Sequence, residues 1–219
     1  MMKKMRKAAL LLAAMMMATL LCGCGSFDAS GYIKALLDNS YKNDSTAFVD
    51  QKIGTKEQAQ ELYEKGIETA LKSLIDDVQI SDGLKGEYET VLKDMYKNVK
   101  YTVGEATKKD DGSYEVEVKY QKMKVFGPAI ESYAVSFQEY EEEVDAKIQN
   151  NEEVPSDEEI LEQSFTLLKD GIQESLGNLQ YEDEASMTVR VELVNKVYTP
   201  NGDDVANLEQ QMFDTEALK

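Results

Sequence analysis

Apolar positions recur along this chain with two different periods, and the periods divide it into helices and strands. Asp28 is placed to cap a helix carrying Tyr32, Ile33, Leu36, Leu37 and Tyr41 on one face. Residues 42–54 are polar and end in Gly54, which predicts a loop. Thr55 and Gln58 then form a capping box. Behind it Ala59, Leu62, Tyr63, Gly66, Ile67, Ala70, Leu71, Leu74, Ile75 and Val78 keep helical spacing. A third helix follows Asp82-Gly83 with Leu84, Tyr88, Val91, Leu92, Met95 and Tyr96.

The period then drops to two. Val99, Tyr101 and Val103 alternate with polar residues, Lys108 to Gly112 turns, and Tyr114, Val116, Val118 and Tyr120 alternate again. That predicts a hairpin with one buried face. After Gly127-Pro128, helical spacing returns through Ile130, Tyr133, Phe137, Tyr140, Val144 and Ile148. Ser156 and Glu159 form a second capping box, opening a helix with Ile160, Leu161, Phe165, Leu168, Ile172 and Leu176 that Gly177 stops. Met187, Val189, Val191 and Leu193 predict a third strand, Pro200-Asn201-Gly202 a turn, and Val205, Leu208, Met212 and Phe213 a last short helix. The order ααα-ββ-αα-β-α makes an α+β fold of about three antiparallel strands and about six helices. The helical hairpin at 128–177 is expected beside or across the sheet, with a separate helical subdomain as the alternative.

The first residues follow neither period. Lys3, Lys4, Arg6 and Lys7 precede an uncharged run from Ala8 to Leu21. Fourteen residues are too few for a membrane span, which takes about 20, but they fit the core of a signal peptide. Leu21-Cys22-Gly23-Cys24 then resembles the bacterial lipobox, with cleavage between Gly23 and Cys24 and lipid, palmitate included, on Cys24. Cys22, preceded by the bulky Leu21, fits that box poorly. This implies a signal peptide at 1–23, a short lipid-anchored tether at 24–28 and one extracytoplasmic domain at 29–215. Gly25 to Asp28 would reach about 15 Å from Cys24, so the domain should sit close to the bilayer.

Composition excludes several chemistries. The 219 residues include no histidine and no tryptophan. There is therefore no Ser-His-Asp triad, Cys-His pair or HExxH site. Removal of residues 1–23 leaves 196 residues of net charge −22, with Cys24 the remaining thiol. Such a chain has no disulfide and is not a nucleic-acid binder, because phosphate contacts need clustered Lys and Arg.

Three features could carry chemistry. Residues 131–162 hold twelve acids (Glu131, Glu139, Glu141, Glu142, Glu143, Asp145, Glu152, Glu153, Asp157, Glu158, Glu159 and Glu162) against Lys147. They lack EF-hand spacing and read as a solvated face rather than a cation site. Of twelve tyrosines, Tyr63, Tyr88, Tyr96, Tyr101, Tyr114, Tyr120, Tyr133 and Tyr140 stand at helical or strand spacing and fit an amphipathic core boundary, with a cleft between sheet and helices as the alternative use of some of them. Lys100, Lys108, Lys109, Lys119, Lys122 and Lys124 make the hairpin locally basic and are expected to pair with the acidic helices.

Beyond the signal, Cys24-Gly25-Ser26-Phe27-Asp28-Ala29-Ser30-Gly31-Tyr32-Ile33-Lys34-Ala35-Leu36-Leu37-Asp38 resembles the start of uncharacterised clostridial lipoproteins of gut Firmicutes with a domain of unknown function. Tyr198 to Asp204 and Phe213-Asp214 resemble their C-terminal ends. The resemblance implies a Gram-positive cell envelope, with the protein lipid-anchored on the outer face of the cytoplasmic membrane. It brings no catalytic residue, metal or cofactor. The expected partners are the membrane, through lipidated Cys24, and an unknown small ligand or protein. A non-enzymatic binding module leads. An envelope hydrolase built on carboxylates or a Ser-Lys pair is the alternative; two carboxylates with raised pKa in a cleft would favour it, and an open groove lined by Tyr would favour the binder.

Overall fold

The computed structural model describes residues 27–75 and 78–218. Gly23, Cys24 and the whole expected signal peptide lie outside them. The first helix, α1 (Ala29–Lys42), is capped by Asp28, whose Oδ1 accepts from the Gly31 N–H at 2.9 Å. After it come a short α2 (Thr46–Asp50), α3 (Lys56–Ile75) and α4 (Asp82–Lys97). The Thr55–Gln58 box forms in both directions at the start of α3. Strands β1 (Lys100–Lys108) and β2 (Tyr114–Lys124) make the first hairpin, turned at Gly112 with φ of 85°. The helical hairpin α5 (Phe126–Gln149) and α6 (Asp157–Gly177) follows, and Ser156 with Glu159 completes the second capping box. The chain closes with β3 (Gln180–Val194), β4 (Val197–Pro200), α7 (Gly202–Met212) and a 3-10 turn at Thr215–Leu218.

The sheet is an antiparallel meander, β1-β2-β3-β4, with α5–α6 inserted between its middle strands. Its alternation assigns its two faces. Tyr114, Val116, Val118 and Tyr120 on β2 and Val189 and Val191 on β3 are buried, while Glu117, Lys119, Thr188 and Arg190 face solvent. Helices α1 and α7 pack on the strands, α3 and α4 pack on α1, and Tyr41, Tyr88, Tyr96, Met95 and Phe213 fill the core. The edge strand β1 is shielded by α1. Ser30 Oγ donates to the Gly104 carbonyl at 2.7 Å, and Lys42 Nζ donates to those of Val99 and Lys97. A free strand edge invites pairing with another chain, and α1 blunts this one.

The α+β class holds, with four strands and seven helices among the described residues. The helical hairpin departs most from expectation. It lies neither beside nor across the sheet, because α6 packs on α4. Tyr88 Oη donates to the Phe165 carbonyl at 2.6 Å, Lys169 meets Glu87 at 2.7 Å, and the Ser81 N–H donates to Glu162 at 2.9 Å. In α5 the buried positions are Phe126 and Ala129, and Gly171 of α6 lets the two helices touch there. A Cβ at Gly171 would lie 2.7 Å from the Ala129 carbonyl oxygen. The junction from β2 into α5 is fixed from afar by Asp214. Its carboxylate accepts the N–H groups of Val125, Phe126 and Gly127 at 3.0, 2.9 and 2.8 Å.

Candidate functional site

Four residues separate each of Lys34, Asp38 and Lys42 from the next, so α1 carries them on one face, one turn apart. That face crosses the start of β1, and between them lies a groove of about 500 Å³. Its walls are Lys34, Asp38 and Lys42 from α1, Lys100 to Val103 from β1, Lys119 to Gln121 from β2, and Glu184 from β3. Four lysines oppose two carboxylates there, so the lining carries a net charge of +2 in a chain that is otherwise strongly acidic.

The groove's floor is organised by Tyr101, whose Oη donates to Asp38 Oδ1 at 2.7 Å. Lys34 pairs with the other oxygen of the same carboxylate. Burial raises the Tyr101 phenol well above its ordinary pKa, and the hydrogen bond to Asp38 adds to the rise, so Tyr101 stays a neutral donor. Lys42 lies 5.6 Å from the centre of the Tyr101 ring. Burial lowers its pKa, with Asp38 acting in the other direction. At the mouth, Lys100 sits 3.6 Å over the Tyr181 ring, and Lys119 approaches Glu184 at 3.8 Å. The arrangement presents ammonium groups, a phenol and a Tyr120 face: chemistry for holding a small anion or a polar chain end.

The opposite end of the sheet is closed. Phe27 stacks on Tyr198 with ring centres 3.9 Å apart and meets Tyr114 edge-on at 5.6 Å. Tyr32 completes the cluster at 5.4 Å from Phe27. Burial pushes the Tyr32 phenol up to about 12. Phe27 and Asp28, read from sequence as tether, are thus folded into the domain.

The other candidates separate. The acidic positions of 131–162 lie along α5 and α6, with Glu139, Glu141, Glu142 and Glu143 all exposed. Among the described residues no cluster of three His, Cys, Asp or Glu side chains could hold a metal ion. Several of these acids have local tasks: Glu159 closes its cap, Glu162 accepts from Ser81, and Glu142 and Glu152 accept from Gln138 and Asn150. The hairpin lysines do not pair with the acidic helices. Lys109 pairs with Glu115, Lys119 with Glu184 and Lys122 with Glu216, because the helices pack on α4 and leave the strands to satisfy each other. A second cavity of about 390 Å³ separates α4 from α6. Its buried Lys169 is committed to Glu87 and Asp170, which outweigh the burial and raise its pKa.

The carboxyls of Asp44, Glu57, Glu61, Asp111, Glu159, Glu162 and Asp204 are held below their ordinary values, so these seven are not poised as general acids. A general acid needs the opposite shift. Ser30, Ser81, Ser132, Ser156 and Ser164 direct their hydroxyls at Gly104, Glu162, Glu174, Glu159 and Tyr133 rather than at a lysine. Sequence reasoning placed Tyr101 and Tyr120 among the core-boundary tyrosines, without saying which would line a cleft, and passed over Lys34, Asp38 and Lys42. Their four-residue spacing was the available signal.

No family model and no curated protein matches the chain. The fold is shared with a solved structure from Bacillus subtilis, ycdA, described as a "putative lipoprotein". The two superpose with a TM-score of 0.56 at 14% sequence identity, over 85% of this chain and 56% of that one. This chain therefore spans little more than half the length of ycdA. No described helix is long and apolar enough to cross a membrane.

Proposed function

We propose that this chain is an extracytoplasmic lipoprotein, anchored through Cys24 to the outer face of the cytoplasmic membrane, that binds a ligand without transforming it. The anchor rests on the lipobox at Leu21 to Cys24 and agrees with the fold shared with ycdA. The observation that carries the binding role is the α1–β1 groove, where four lysines and Tyr101 gather around about 500 Å³ of open space. The ligand class that suits it is a small anion bearing carboxylate or phosphate, since the lining's positive charge is a local exception on a repelling surface. Lys42 would hold the anion with the Nζ proton not given to the Lys97 and Val99 carbonyls, and Tyr101, its own proton given to Asp38, would shape the floor beneath it.

Two measurements test the reading. Labelled palmitate should enter the wild-type chain and the Cys22→Ala variant but not Cys24→Ala, and labelling of Cys24→Ala would refute the anchor. Calorimetry on residues 27–219 with citrate and inorganic phosphate should show saturable binding that weakens about tenfold in Lys42→Met, the worth of one charge-assisted contact. Equal affinity in wild type and Lys42→Met would remove the groove from the account.

A further inference from the structure

Strand register shows which end of the domain the chain enters at Phe27. Lys108 pairs with Tyr114 at the first turn, Tyr114 pairs with Val191, and Val194 pairs with Val197 at the second turn. Both hairpin turns therefore project from one end of the sheet. Phe27 packs at that same end, between Tyr114 and Tyr198, and Tyr198 pairs directly with Leu193. The second turn is tight. Asn195 and Lys196 both take positive φ, 51° and 67°, and leave Leu193 and Val194 at the tip. These two residues are 46% and 48% exposed, one apolar side chain on each face of the tip that the fold does not cover.

Cys24 precedes Phe27 by three residues, a span of about 10 Å when extended. A lipid on Cys24 cannot lie farther than that from the stacked ring. The bilayer surface must then come within reach of the adjoining hairpin tip. We infer that this end of the sheet is the lipid-facing end, with Leu193 and Val194 entering the interfacial layer; the inference rests on the lipid-anchor reading. Burial of two aliphatic side chains drives the insertion. Charge does not, because Lys108, Lys109 and Lys196 are balanced there by Asp110, Asp111 and Glu115. The α1–β1 groove lies toward the other end, running from Lys34 to Lys42, about 8 to 20 Å along α1 from its first residue. The domain therefore stands on its closed end and opens its groove away from the membrane.

The absence of tryptophan makes the test direct. Full-length lipidated chain carrying Leu193→Trp, Val194→Trp or, at the far end of β3, Asp183→Trp is reconstituted in phosphatidylglycerol–phosphatidylethanolamine vesicles with and without bromine on the acyl chains. Flotation and intact mass report the anchor separately. The expected result is blue-shifted emission for the tip variants, with on the order of a twofold loss in brominated vesicles, since the interfacial layer is about 5–10 Å deep. Asp183→Trp should be unaffected. Lipidated, floating protein whose tip tryptophans are not quenched would overturn the orientation and leave the anchor standing. Blue-shifted emission without bromine quenching would assign the tip to a second copy or a protein partner instead. Failure to acquire lipid or to float would overturn the anchor and the orientation together.

Discussion

The two ends of the sheet use the same residue types to opposite effect. At one end Phe27, Tyr32, Tyr114 and Tyr198 pack on each other and leave no room. At the other, Tyr101 and Tyr120 line a groove in which polar groups partner one another across open space. The difference lies in the neighbours on α1. Its first turn offers small residues and the cap at Asp28, so aromatic rings close over it. Its later turns offer Lys34, Asp38 and Lys42, of which Asp38 holds the Tyr101 phenol by its hydroxyl while Lys42 lies over its ring. A tyrosine count says nothing about which use a given ring serves.

The strongest way to break the open end is through Asp214, which holds the β2–α5 junction beside it. Asp214→Ala leaves three backbone N–H groups without their carboxylate. Urea unfolding should show a loss of about 3 kcal/mol or more. The matching change at the closed end is Phe27→Ala. It removes a half-buried ring from a stack and should cost about 2 kcal/mol in the same measurement. Tyr101→Phe sharpens the contrast, because it keeps the ring and deletes the bond to Asp38. Stability should fall by about 1 kcal/mol. Affinity for citrate should fall as well, an effect that Phe27→Ala should not produce.

A smaller effect depends on pH. Burial would raise the Asp204 carboxyl, but the hydrogen bonds and charge of Arg190 outweigh it and hold its pKa below the ordinary carboxylate value. A depressed pKa contributes stability above the unfolded value and loses it as pH falls through the folded one. Asp204→Asn should flatten that acid limb by about 1 kcal/mol at most, because Arg190 is half exposed. The smallest effect belongs to the acidic helices. Changing Glu139, Glu141, Glu142 and Glu143 together to Gln should leave the fold intact and raise the melting temperature slightly at low salt, as self-repulsion falls. A saturable calcium-dependent shift in wild type, lost in that variant, would instead mark a cation site.

Most long elements were legible because each has one buried face. Helices α1, α3, α4 and α6 and the first hairpin follow period alone, and both capping boxes form where Thr55–Gln58 and Ser156–Glu159 stand. The last short helix, α7, was legible, but α2 and β4 were not. Within α2 only Phe48 is buried, and one position has no period. Strand β4 was hidden because its turn, Asn195-Lys196, adopts positive φ without a glycine. The first half of β3, through Glu182, Asp183 and Glu184, is exposed and lacks alternation, yet it pairs with β2 on both sides of an irregularity at Glu182 and Asp183. The path of the α5–α6 hairpin is decided by long-range contacts with α4, which no local pattern encodes. The groove was legible only in part, since its tyrosines and two of its lysines lie on strands while Lys34, Asp38 and Lys42 lie on a helix about sixty residues before Tyr101.

The central claim is that the open end binds an anion while the closed end stands at the membrane. Amide chemical-shift mapping of residues 27–219 during a citrate titration tests it most directly. Shifts should concentrate at Lys34 to Lys42, Lys100 to Val103 and Lys119 to Gln121, saturate, and leave Phe27, Tyr114 and Leu193 to Tyr198 unmoved. Saturable shifts centred on Phe27 and Tyr198, or none at the lysines across the titration, would contradict it.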